Sequence, residues 1–379
     1  MNDNQDDFDY GPVRKYRRGS SAEKGPLIAL CILAVVVVIS IVMLVLAITG
    51  KLDGLFSGKP AETKPNPDAE TEEQTDTQSP EQTGASETDG SQVTAPETIG
   101  GSILWDFKDY KPEDVAKGDL VLIDATHPYT FPTSGQSIVN VYGNKINLYG
   151  LSTTAVQLDA TVITQINAMV KAFYEETGSK HADLMLQGGY RTYEAQKELF
   201  DKYYAKYGDS ASTFTLPAGC SDYHTGKSFY MKVCTVLDET NGDGSNKKSV
   251  RELADCGGDY AWIGENAHKY GFIMRYPAEK TAYTGTVTDG EGHFRYVGIP
   301  HAYAMHQNNW CLEEYLEQIR SYTYTGDHLK VSDSTGTQYE IFYVPAAVDG
   351  ITRLPLPSNA PYTVSGNNID GFIVSVEIK

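Results

Sequence analysis

The chain passes through distinct regimes of hydrophobic and polar patterning. Residues 27–48 read LIALCILAVVVVISIVMLVLAI, with no charge over about the twenty residues a helix needs to cross a hydrocarbon core of about 30 Å. This run predicts a single transmembrane helix. A cleaved signal peptide is the rival, but its apolar region is about 7 to 15 residues and ends at a small-residue cleavage site, which fits less well. Residues 49–102 then carry almost no large apolar side chain, and from Ser57 to Gly100 they are dominated by Thr, Glu, Pro, Gln, Ser and Asp. Such a segment cannot repay the entropy of ordering and predicts a disordered, self-repelling tether.

Beyond the tether the pattern becomes that of a folded domain. Gly118 to Ile123 (GDLVLI) predicts a buried strand, and 152–178 predicts a helix through Leu158, Val162, Ile166, Met169, Val170 and Phe173. A strand in ADLMLQGGYR leads into a glycine turn, and a helix is expected over Tyr193 to Tyr207, stopped by Gly208. Further helices are expected over 247–256, over 260–270 with Gly271 as a left-handed stop, and over 310–322. Strands and helices mix without βαβ regularity, so the expectation for 103–322 is an α+β domain. From Thr323 the segments YEIFYV and GFIVSVEI alternate, which predicts a C-terminal β extension over 323–379. A unit this small is marginal alone and should pack on the larger domain.

Charge sets the topology. Arg14, Lys15, Arg17, Arg18 and Lys24 precede the apolar run, whereas Lys51 and then mostly acids follow it, which keeps residues 1–26 cytoplasmic and places everything after Gly50 outside. A formal net charge of −19 argues against a nucleic-acid partner. Cys31 falls in the span, leaving Cys220, Cys234, Cys256 and Cys311 outside. An even number in an oxidising location suggests two disulfides, with three pairings open. No Cys-x-x-Cys spacing supports a four-cysteine zinc site.

Several phrases carry chemistry: GGYRTYEAQ (Gly188 to Gln196), PAGCSDYHTG (Pro217 to Gly226), AWIGENAHKYGFIMRYP (Ala261 to Pro277) and GHFRYVG (Gly292 to Gly298). In order and spacing they resemble the VanY-type D-alanyl-D-alanine carboxypeptidases, within the superfamily that shares the Hedgehog/DD-peptidase fold. The resemblance implies one zinc held by a histidine and an aspartate in Ser-Glu-His-x-Thr/Ser-Gly-x-x-x-Asp and by a second histidine in Glu-Pro-Trp-His, whose glutamate is the base. Three such ligands leave an open position where the metal acidifies a water, and a carboxylate takes its proton.

Ser221, Thr225 and Gly226 fix the register on this chain. Tyr223 then stands at the first histidine and Tyr230 at the aspartate. His293 matches the second histidine, Gly290 the base and Gly292 the tryptophan. A phenol, with its pKa of about 10, is a poor zinc ligand. Slipping the register to His224 puts Met231 at the aspartate position, which is no repair. Glu291 and Asp289 flank the base position, but in an extended segment they face away unless a bulge re-aims them.

The resemblance further implies a peptide-binding surround: Arg191 gripping a carboxylate, with Ser221, His293 and Arg295 near it. Tyr223 and Tyr230 are expected to fill the vacated metal volume, their hydroxyls reaching His293 or each other. His301 and His306 are five apart, not the four that would put a zinc-binding pair on one helix face; His127, His181, His268 and His328 are assigned surface or capping roles, and DETNGDGSN a turn rather than a calcium loop. The resulting expectation is a non-catalytic, membrane-tethered carboxypeptidase-like protein without cofactor, binding a peptidoglycan stem peptide or a cell-envelope protein. The alternative is an active zinc D,D-carboxypeptidase with a rearranged metal site. A third reading has the C-terminal β unit recruiting envelope proteins.

Overall fold

The computed structural model describes residues 103–133, 136–179, 183–242, 244–285 and 292–378. The apolar run 27–48 and the tether lie outside them. Among the described residues no helix is long and apolar enough to cross a membrane. Strands and helices mix without regular βαβ units, in keeping with the α+β expectation.

Helix α1 (Ala160–Thr177) carries Val162, Ile166, Met169, Val170 and Phe173 on one buried face. Asp159 caps it by accepting the Thr161 amide, and Gly178 ends it at φ 67°. It begins at Ala160 rather than at 152, because the preceding residues form β3 (Gly150–Leu151) and β4 (Gln157–Asp159), the latter paired with β2 (Ile138–Asn140). Helix α2 (Tyr193–Tyr207) matches its expected span, with Thr192 accepting the Ala195 amide at its start.

The central sheet runs β3-β5-β6-β9-β8, joining β5 (Leu184–Gln187), β6 (Ser228–Thr240), β9 (His293–Tyr296) and β8 (Phe272–Met274). Alternation divides β6 between two faces. Phe229, Met231 and Val233 point into the core with Leu184, Leu186, Phe294 and the apolar stripe of α1. Tyr230 and Lys232 belong to the opposite face, and with them go their cross-strand partners Gln187 and His293 (opposite Tyr230), Glu252 (opposite Lys232) and Arg295 (opposite Ser228). That face is where the candidate residues gather.

The helix expected over 247–256 is absent. Residues Asn246–Glu252 form β7, antiparallel to β6. Of the DETNGDGSN segment, 238–240 end β6 and Asn246 opens β7, and between them the Asn241 amide donates to the Ser245 carbonyl at 2.7 Å. A tight turn beside a long strand delivers the following residues to a ready-made ladder, and tertiary pairing overrides local propensity. Helix α3 (Ala261–Asn266) is flanked by 3₁₀ turns and followed by Gly271 at φ 81°. The short α4 (Thr281–Thr284), α5 (Ile299–Asn308) and α6 (Leu312–Gln318) follow. The helix expected over 310–322 is thus α6 and a 3₁₀ turn.

The C-terminal unit holds the antiparallel sheet β10-β11-β14-β13, made of β10 (Leu329–Ser332), β11 (Gln338–Pro345), β14 (Gly371–Ile378) and β13 (Tyr362–Gly366). The boundary drawn at residue 323 is crossed by β1 (Trp105–Tyr110), which pairs with β12 (Thr352–Pro357). Trp105 and Tyr110 share a core with Phe342, Leu354, Leu356 and Phe372. Within Gly118–Ile123, the residues Leu120 to Ile123 are buried, but the run forms no strand. Its backbone is satisfied singly, the Leu120 amide by Ser365 Oγ at 2.9 Å and the Leu122 amide by the Asn367 carbonyl at 3.0 Å. Leu120 and Leu122 pack with α5, α6 and the β unit instead. The expected disulfides are also absent: Cys220, Cys234, Cys256 and Cys311 are free thiols, Cys311 buried at the start of α6 and Cys256 donating to the Glu252 carbonyl.

Candidate functional site

The SDYHTG segment folds as a capped 3₁₀ turn. Ser221 precedes the turn Asp222–Thr225 and accepts the Tyr223 amide at 3.4 Å, and Gly226 closes it at φ 68°. Thr225 donates to the Asp222 carbonyl at 2.7 Å and accepts the Lys227 amide at 2.9 Å. The turn sends consecutive side chains in different directions, and each finds a distinct partner.

Asp222 is fully buried between Arg275 Nε and Arg295 Nη1, both at 2.6 Å. Burial alone would raise its carboxyl, but the two guanidiniums hold it below the ordinary carboxylate range. Arg275 also forks onto Glu313 of α6 at 2.8 and 3.1 Å. Arg295 donates its remaining hydrogens to the carbonyls of Tyr296, Asp119 and Val121. Arg295 is therefore an internal brace rather than a group presented to a ligand, a correction to its sequence assignment. Ser221, 3% exposed, is likewise an N-cap.

His224 turns away from the sheet face. Its Nε2 accepts the Gly219 amide at 2.9 Å, which leaves Nδ1 to donate to the Arg191 carbonyl at 2.8 Å. Burial lowers its pKa and favours this neutral tautomer. Both nitrogens are committed to backbone, so His224 is not available as a metal ligand.

Tyr223 points inward and is 4% exposed. Its ring lies 4.8 Å from the His293 imidazole, and the Tyr276 ring meets the same imidazole edge-on at 5.0 Å. The Arg191 guanidinium sits 4.1 Å over the Tyr223 ring, and that of Arg275 4.7 Å over Tyr276. The result is a column of contacts, Arg191, Tyr223, His293, Tyr276, Arg275, that includes two of the positions where the family resemblance expects metal ligands. Among the described residues Arg191 pairs with no acid; its Nη1 donates to Gln196 Oε1 at 3.1 Å, and Gln196 is held by the Leu216 carbonyl and Thr215.

His293 is 2% exposed, and neither ring nitrogen has a hydrogen-bond partner among the described residues. Burial, reinforced by the positive charges of Arg275, Arg191 and Arg295, lowers its pKa to about 3, so the ring is neutral. Tyr230, directly opposite His293 in the ladder, sends its hydroxyl to Glu252 Oε2 at 2.6 Å and makes no hydrogen bond to the His293 ring nitrogens. Lys232 pins the other Glu252 oxygen at 2.9 Å. Glu252 was missed in the sequence because the segment was read as a helix.

The structure thus brings Tyr223, Tyr230 and His293 together, as the register required, with Arg191 above them. Gly290, Asp289 and Glu291 lie outside the described residues. Among the described residues no group of three or more His, Cys, Asp or Glu side chains is placed to hold a metal ion. One imidazole and two phenols, one of them already donating to a carboxylate, do not fit a zinc ion.

The remaining histidines divide. His301 is buried and meets the Tyr315 hydroxyl at 2.7 Å, and His328 is buried against Glu340 at 2.8 Å. His268 is buried and stacks on the exposed His306 at 3.6 Å. His127 binds Asp124 at the surface, and His181 lies outside the described residues.

Comparison with known proteins places this geometry. The family model for D-alanyl-D-alanine carboxypeptidase (VanY) matches residues 155–299. A D-alanyl-D-alanine carboxypeptidase of Enterococcus faecium is 34% identical over 267 residues, covering 70% of this chain and 77% of the relative. The chain belongs to the VanY-type carboxypeptidase family. Within the family, the bifunctional D-Ala-D-Ala dipeptidase and carboxypeptidase VanXYC of Enterococcus gallinarum is 32% identical over 166 residues, covering 43% of this chain and 80% of its own. The fold resembles that of the D,D-dipeptidase VanXYg in complex with a D-Ala-D-Ala phosphinate analogue, with a TM-score of 0.59 at 24% identity, over 72% of this chain and 99% of that one.

Proposed function

We propose that this VanY-family chain is a membrane-tethered, non-catalytic protein of the cell envelope that holds the carboxylate end of a peptidoglycan stem peptide without cutting it. The observation that carries the reading is the Tyr223–His293–Tyr230 cluster, in which a single imidazole stands where the family resemblance calls for three ligands. Without that donor set no acidified water can be generated at this position. The apolar run 27–48 supports the tether, and the basic flank supports an extracellular C-terminal part.

Arg191 supplies the binding chemistry. It is half-buried, its guanidinium lies 4.1 Å over the Tyr223 ring and donates to Gln196, and no carboxylate neutralises it in a salt bridge among the described residues. A fixed planar guanidinium grips a carboxylate through two parallel hydrogen bonds. Calorimetric titration with a peptide ending in D-Ala-D-Ala tests the reading: saturable binding without release of D-alanine supports it, and no heat at millimolar peptide ends it.

A second reading, an active D,D-carboxypeptidase with a rearranged metal site, is favoured by one observation. Glu252 lies on the same sheet face as His293, because their ladder partners Lys232 and Tyr230 are two residues apart on β6. The carboxypeptidase relatives add weight to it. About one tightly bound zinc per chain, together with D-alanine release, would decide for this reading.

A further inference from the structure

Each tyrosine at a metal position sits against a glycine. A Cβ on Gly188 would come within 3.2 Å of the Tyr223 ring and 3.4 Å of its hydroxyl. The fit at Gly292 is tighter: a Cβ there would lie 2.6 and 2.7 Å from Tyr230 Cζ and Cε1, and 3.0 Å from the Met231 carbonyl. Gly292 is not at a positive φ, so its backbone would accept a side chain. The obstruction is the ring alone, apart from a tight carbonyl.

The ring cannot easily move aside. Its hydroxyl is fastened to Glu252, Glu252 is fastened to Lys232, and Lys232 Nζ lies 5.3 Å from the ring centroid. Tyr230 and Gly292 therefore occupy one volume between them: whatever one gains the other must give up. The family resemblance places aspartate and tryptophan at these two positions, and a tryptophan at 292 would collide with the ring of Tyr230.

We propose that Tyr230, Gly292 and Glu252 form an interlocked set that closes the former metal seat by packing, with Glu252 as the positioning residue that anchors the ring in place of a metal. The departures from the family pattern at 230 and 292 are then one linked change, and a side chain at 292 strains the fold while the Tyr230 ring remains. This rests on the reading of the seat as metal-free, but its test reads stability rather than peptide binding, so failure of the peptide proposal leaves it standing.

The test is thermal unfolding of the full chain in the native form and in five variants: Gly292→Ala, Tyr230→Ser and Glu252→Ala alone, Gly292→Ala with Tyr230→Ser, and Gly292→Ala with Glu252→Ala. Gly292→Ala alone is expected to lower Tm by on the order of 5 °C. In the Tyr230→Ser background its penalty should fall to about a third or less, and in the Glu252→Ala background it should shrink because the freed ring rotates away. If Gly292→Ala alone fails to fold, recovery of folding in the Tyr230→Ser background supports the interlock. An equal penalty in all backgrounds, or failure to fold with and without the Tyr230 ring, overturns it.

Discussion

The Arg191 guanidinium lies 4.1 Å above the ring of Tyr223, so the residue that stands at a ligand position is also the platform for the candidate peptide grip. The contact with the ring and the hydrogen bond to Gln196 together hold the guanidinium in place. Replacing Arg191 by Ala should weaken binding of a D-Ala-D-Ala peptide by about tenfold or more, and Arg191→Lys should recover only part of it, because an ammonium cannot make the two-pronged contact. Calorimetry on both variants checks this; equal affinity for Ala, Lys and the native chain would remove Arg191 from the site.

Asp222 joins Arg275 and Arg295 with no exposure to water, and through Arg275 it reaches Glu313 of α6. Removing the carboxylate leaves two guanidiniums buried without their counter-ion. Asp222→Ala should destabilise the fold by about 3 to 5 kcal/mol, read as a lower denaturation midpoint. A loss below about 1 kcal/mol would mean that the arginines find other partners at little cost.

Two buried imidazoles make the fold acid-sensitive. Burial lowers the pKa of His301 to about 4, and burial with the neighbouring His306 and Lys269 lowers that of His268 to about 4. Both are depressed relative to the unfolded chain, so the unfolded state binds more protons between those values and about 6.5. Their stabilisation is fully present above about pH 6.5 and falls away as pH drops toward 4, by up to about 1.4 kcal/mol per unit for a fully buried imidazole. For His301→Gln, which keeps a polar group near Tyr315, denaturation midpoints followed from pH 7 to 4.5 should decline less steeply. An unchanged slope would remove His301 from the effect.

Free thiols are a finding with a direct assay. Cys311 is buried and its thiol is pushed up to about 12 by burial, so it should resist modification in the native chain. After denaturation without reductant, all five cysteines should titrate. A count of three or fewer would restore the disulfide expectation.

What was legible in the sequence was whatever depended on local spacing. Helix α2 and its glycine stop, the glycine after α3, the alternating strands of the C-terminal unit and the alignment of Tyr223, Tyr230 and His293 all follow from periodicity or from a short motif. What was illegible depended on partners far along the chain. The sequence of β7 does not announce that β6 will pair with it, so Glu252 was hidden until the hairpin closed. Arg295 looked like a ligand group because nothing local reveals that Asp222, 73 residues earlier, neutralises it. His328 reads as superficial in the sequence because its carboxylate partner arrives from β11. Within the run GDLVLI, Leu120 to Ile123 are buried, but its amides are answered by Ser365 and Asn367 rather than by a strand.

The central claim is that the cluster around His293 does not hold a catalytic metal. Equilibrating the purified chain with zinc, removing free ion and measuring bound metal by mass spectrometry, with terminal D-alanine release followed on the same sample, tests it most directly. The account predicts far less than one zinc per chain and no D-alanine above background. About one zinc per chain, lost together with activity in Glu252→Gln or His293→Ala, would contradict it.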